Sequence, residues 1–90
     1  MSAMFSENAQ KILVHLQANP EANETAQEIS DATGVSVKSV NGVVTAALKR
    51  RGLADRKVVE GKDKKVIYLT ETGKTVDPYM EKPEISMETE

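Results

Sequence analysis

Lys38, Gly42, Thr45 and Lys49 recur at intervals of three and four along one stretch of chain, with Ser36, Ser39, Asn41 and Ala46 beside them. On a helix that spacing gathers them into one stripe. These side chains form no nucleophile and base pair, but they carry positive charge and exchange hydrogen bonds. A carboxamide such as Asn41 matches adenine N6/N7, and an ammonium such as Lys38 reaches guanine O6/N7. Ser39 and Thr45 hydroxyls can donate to phosphate or accept from a base. A second basic set follows at Arg56, Lys57, Lys62, Lys64 and Lys65. Those cations suit phosphates, whose contribution to affinity falls steeply with salt. The competing readings are a solvated helix face for the first set and edge lysines that deter strand aggregation for the second.

Gly42 sits in the middle of the stripe. Glycine inside a helix costs about 1 kcal/mol relative to alanine. It lies away from the apolar side, so packing within the domain explains it poorly, whereas close approach of a groove or partner would explain it. Chance is the alternative.

Nothing else in the chain proposes catalysis. His15 is the only histidine and has no metal-ligand partner at a useful spacing. Phe5, Tyr68 and Tyr79 are too few and scattered to stack bases. There is no glycine-rich phosphate loop, nucleophile elbow or metal signature. We therefore expect no enzyme, no cofactor and no metal.

The bulk properties set the limits. Ninety residues allow one domain. A chain of this size buries only about 60–65% of its unfolded surface, so its core is small. The absence of cysteine removes disulfide and thiolate-zinc bracing and fits a reducing cytoplasm. No apolar run approaches the roughly 18–20 residues that span a bilayer. The opening MSAMFSENAQ lacks the pattern of a secretory signal. The expectation is a cytoplasmic protein with no membrane partner.

Net charge is −2, yet it is unevenly placed. Residues 1–35 hold one base and five acids, net −4; residues 36–75 hold ten bases and four acids, net +6. Residues 76–90 return to −4. A basic middle between acidic ends matters more to a docking surface than the total does.

Helical periodicity predicts the elements that must carry these residues. Phe5, Ala9, Ile12, Leu13 and Leu16 make one face of a first helix from Ser6 to Ala18, ended by Asn19-Pro20. Residues 20–24 read as a polar loop. Thr25 and Glu28 have capping-box spacing, and Ala26, Ile29 and Ala32 form the inner face of a short second helix closed by Gly34. Ser36 caps a third helix to about Arg51, with Val37, Val40, Val43, Val44, Ala47 and Leu48 turned inward. Residues 53–59 and 65–69 read as strands of a hairpin linked by a polar, glycine-containing turn. Thr70 starts a last short turn. The acidic residues 77–90 are expected to be a disordered tail.

TAQEISDATGVSVKSVNGVV, LKRRGLADR and VIYLTETGK follow one another in this order. Over roughly residues 5–76 the chain resembles a winged helix-turn-helix domain and is similar to MarR-like transcriptional regulators. The resemblance implies an α+β, mainly α fold of three helices followed by a two-stranded β-hairpin wing. It implies a sequence-specific, double-stranded-DNA-binding regulator of transcription, with the third helix in the major groove and the basic hairpin along the backbone. Such regulators usually dimerise through long terminal helices, where this chain offers one short first helix and an acidic end. A homodimer is one expectation. The alternative is a winged helix that docks a protein partner without binding DNA.

Overall fold

Four hydroxyl side chains start the four helices of the described residues. Ser6 Oγ accepts from the Ala9 N–H at 3.2 Å, Thr25 Oγ1 from Glu28 at 3.3 Å, Ser36 Oγ from Ser39 at 3.2 Å and Thr70 Oγ1 from Gly73 at 3.1 Å. Each bond satisfies an N–H that has no partner inside its own helix. The computed structural model describes residues 4–81. Its helices are α1 (Glu7–Ala18), α2 (Ala26–Thr33), α3 (Val37–Val43, continued by a π-helical segment Val44–Lys49) and α4 (Glu71–Thr75). At α2 the capping box is complete, since Glu28 Oε1 also accepts from the Thr25 N–H at 2.9 Å. Gly34 closes α2 at φ +81°, where a β-carbon would be strained, and its N–H donates to the Ser30 carbonyl at 2.8 Å.

The wider turn after Val43 follows from what must be buried. Val40, Val44 and Leu48 are spaced by four and are all fully buried. Four residues overshoot one α-helical turn by about 40°. Passing to the wider i→i+5 pattern reduces that drift and keeps all three on the core. The Leu53 N–H then donates back to the Leu48 carbonyl at 2.8 Å, and Gly52 at φ +74° turns the chain into the sheet.

Three short strands form that antiparallel sheet, β1 (Glu24–Thr25), β2 (Ala54–Lys57) and β3 (Val66–Leu69), in the order β1-β3-β2. The register pairs Ala54 with Leu69, Arg56 with Ile67 and Thr25 with Val66. Helices packed on a small antiparallel sheet make an α+β architecture. The core joins Phe5, Ile12, Leu13 and Leu16 of the N-terminal segment to Ile29, Val40, Val44 and Leu48, and closes on Ile67 and Leu69. Gln17 fastens α4 from behind, its amide donating to the Gly73 and Val76 carbonyls at 3.0 and 2.7 Å.

The sheet corrects the expected two-stranded hairpin. Glu24 and Thr25, read as the end of a polar loop and a cap, add a third strand to β3. Ala32, expected on the inner face of α2, is exposed; Ile29 alone of that helix is buried. The strand that was expected to continue to Val59 stops at Lys57, and Val58 is 77% exposed. Residues 77–81 do not lead straight into a loose tail. The Met4 N–H donates to the Met80 carbonyl at 3.0 Å, and Met80 packs on the core. The remainder of the expected acidic tail, residues 82–90, lies outside the described residues. Among the described residues no helix is long and apolar enough to cross a membrane.

Candidate nucleic-acid interface

The stripe on α3 and its π-helical continuation is exposed as its spacing requires. Lys38, Asn41, Gly42, Thr45 and Lys49 are all exposed, and Ser39 is half-buried. Burial of Val40, Val44 and Leu48 on the core rotates them outward. Ser36 and Ser39 are partly engaged with each other. The Ser36 hydroxyl donates to Ser39 Oγ at 3.0 Å while accepting that residue's backbone N–H.

β2 lies beside this helix, and side chains from both of its faces reach the stripe, Arg56 at Asn41 and Thr45 and Asp55 at Lys49. Arg56 shares a sheet face with the buried Ala54 and is carried onto the stripe. The two N–H groups of its Nη2 are shared among the Asn41 carbonyl and Oδ1, each at 3.3 Å, and Thr45 Oγ1 at 3.2 Å. Lys57 alternates away and sits 4.8 Å from the centroid of the Tyr68 ring. Asp55 pairs with Lys49 at 3.5 Å. The Arg56 backbone N–H, at 2.8 Å, holds the Asp55 carboxyl below its usual range, with help from Lys49.

The hairpin lysines divide. Lys62 turns inward, its Nζ lying 2.9 Å from both carboxylate oxygens of Glu28. Lys64 and Lys65 instead border a cleft of about 350 Å³ with Gln27, Val37, Asn41 and Arg56. The structure therefore brings Asn41, Arg56, Lys64 and Lys65 together, while Lys57 and Lys62 have other neighbours. Lys38, Arg56, Lys64 and Lys65 form no ion pair among the described residues, whereas Lys49 and Lys62 do. Gln27 was not foreseen; its position at the start of α2 becomes meaningful only once the hairpin is seen to lie against it.

Lys62 and Glu28 tie the hairpin to the start of α2, which has a consequence for stability. The Lys62 hydrogen bond first, and the Thr25 backbone N–H second, hold the Glu28 carboxyl below its usual range. A carboxylate with a depressed folded-state pKa stabilises the fold above its unfolded value. That contribution disappears as pH falls through the folded value. Thermal melts from pH 7 down through about pH 4 and below should show a steeper acid decline in the wild type than in Glu28→Gln. Both side chains are partly exposed, so the difference at neutral pH is small.

Gly42 separates structure from function. A β-carbon placed there meets nothing within 4 Å, and its φ is not positive. The fold therefore does not require glycine. Gly42→Ala should raise stability by about 0.5–1 kcal/mol in a urea melt. If the helix backbone approaches a groove closely, the same variant should bind duplex DNA more weakly.

Among the described residues no three His, Asp or Glu side chains gather as a metal site. The arrangement offers an exposed set of donors and cations spread over one helix and one hairpin. Comparison with protein-family models, with curated proteins and with solved structures gives no match for this chain.

Proposed function

We propose that this chain is a winged helix-turn-helix protein, similar to MarR-like regulators, that binds double-stranded DNA sequence-specifically and regulates transcription in the cytoplasm. The observation that carries this reading is the joining of two surfaces. The open stripe of α3, with Lys38, Asn41, Gly42 and Thr45, adjoins a hairpin whose Arg56, Lys64 and Lys65 have no carboxylate partner among the described residues. Unpaired cations beside exposed hydrogen-bonding groups suit a surface that gains its counter-charges from phosphates. In the proposed complex α3 enters the major groove, where Asn41 and Lys38 meet base edges, and the hairpin follows the backbone.

Titration of a labelled duplex pool at 50 and 200 mM salt tests this reading. Binding should weaken sharply with salt and concentrate on a subset of sequences after selection. Absence of binding to any duplex, or binding indifferent to salt, would refute it.

A second reading, docking of a protein partner, is favoured by one observation. Val14 is 41% exposed and Tyr79 is 62% exposed, and both border a surface cleft with Ala32 on the side of α1 and α2.

A further inference from the structure

We propose that Arg56 is a positioning residue that sets the orientation of Asn41 and Thr45 for base reading. This rests on the DNA-binding function proposed above and extends it to one determinant of specificity. A carboxamide on an exposed helix face can rotate to present either its oxygen or its nitrogen. A threonine hydroxyl can likewise donate or accept. Here one guanidinium nitrogen, brought from β2, faces Asn41 Oδ1 at 3.3 Å, the Asn41 carbonyl at 3.3 Å and Thr45 Oγ1 at 3.2 Å.

A guanidinium donates and never accepts. The Asn41 oxygen must therefore turn toward the hairpin, which leaves Nδ2 on the opposite side of the amide. Thr45 Oγ1 accepts from Arg56, so its own O–H is free to donate elsewhere. Arg56 Nε and Nη1 make no hydrogen bond to a described residue and remain for an anion such as a phosphate. In the free protein these contacts are exposed and compete with water. Covered by a nucleic acid, they act in a lower dielectric and strengthen. One side chain thus couples the hairpin to the base-reading helix, fifteen residues from Asn41 in sequence. The other role open to Arg56 is phosphate contact alone, whose removal would lower affinity for every sequence alike.

The test compares wild type, Arg56→Ala, Asn41→Ala and the double variant by selection from a random duplex library. Affinities for the selected duplex and for single-base changes of it are then measured. Asn41→Ala should cost discrimination by about tenfold at its base position, the scale of one good base contact. Arg56→Ala should relax or alter preference at that same position by severalfold, and the double variant should discriminate no worse than Asn41→Ala. An unchanged base preference in Arg56→Ala, or independent losses that multiply in the double variant, would overturn the proposal while leaving DNA binding intact. Thermal melts of each variant separate these effects from unfolding. A second readout needs no DNA. The Asn41 side-chain NH2 signals should move in the NMR spectrum of Arg56→Ala, and unmoved signals would also overturn the proposal. A wild type that binds no duplex removes the function on which the proposal stands, and the proposal with it.

Discussion

Gly73→Ala should destabilise this protein by about 3 kcal/mol or more, at the upper end of what overpacking usually costs. Helix propensity alone gives the opposite sign, since alanine in a helix is favoured over glycine by about 1 kcal/mol. Packing overrides propensity here. Gly73 is buried in α4, and a β-carbon on it would lie 1.8 Å from the Leu53 carbonyl oxygen. That obstacle is backbone, not the flexible end of a side chain. The Leu53 oxygen also accepts the Thr70 N–H at 2.9 Å, so moving it aside disturbs the junction that leads β3 into α4. α4 must lift away, and the Gln17 bonds to the Gly73 and Val76 carbonyls are lost with it. In a domain of this size such a loss lowers the melting temperature by roughly 12–24 °C. Calorimetry or circular dichroism checks it, with Gly42→Ala as the control expected to move the other way. A Gly73→Ala melt within 3 °C or so of wild type would show that the helix does not press on Leu53.

The second large effect concerns affinity. Replacing Lys38, Lys64 and Lys65 together by alanine should weaken duplex binding about a hundredfold at 0.15 M salt and reduce the slope of log affinity against log salt by up to about 2.7. These three side chains are exposed and make no ion pair among the described residues, so their removal should leave the fold within roughly 0.5 kcal/mol per site. Lys11→Ala with Lys74→Ala removes two charges that lie off this surface, each already near a glutamate, at 3.7 and 3.5 Å. That pair should change affinity far less. Equal losses from both sets would mean that net charge, and not a defined face, drives the binding.

What the sequence disclosed about the fold was mostly local. Ser6, Thr25, Ser36 and Thr70 cap their helices because a hydroxyl three residues before a free N–H needs no tertiary context. Of the residues expected to turn inward on α3, Val40, Val44 and Leu48 are buried and Val43 and Ala47 pack against the core, whereas Val37 is half-buried and borders the surface cleft. The features that escaped are long-range. β1 is two residues long and exists only because β3 presents an open edge to it. Ala32 continues an apolar pattern whose partner surface ends before reaching it. Lys62 meets Glu28 across thirty-four residues of sequence, and Gln17 meets Val76 across fifty-nine. The candidate site shows the same division. Its stripe on α3 was legible from spacing, but the contact of Arg56 with Asn41 depends on strand register and on how β2 lies against the helix, which no local pattern encodes.

The proposed complex makes the stripe of α3 and the neighbouring hairpin one DNA-contacting surface. Backbone NMR of isotope-labelled protein, titrated with a selected duplex, examines it residue by residue. Amide signals of residues 36–49, 54–57 and 62–65 should shift or broaden together, while those around Val14, Ala32 and Tyr79 stay in place. Perturbation confined to the Val14 and Tyr79 side, with the α3 stripe unmoved, would contradict it.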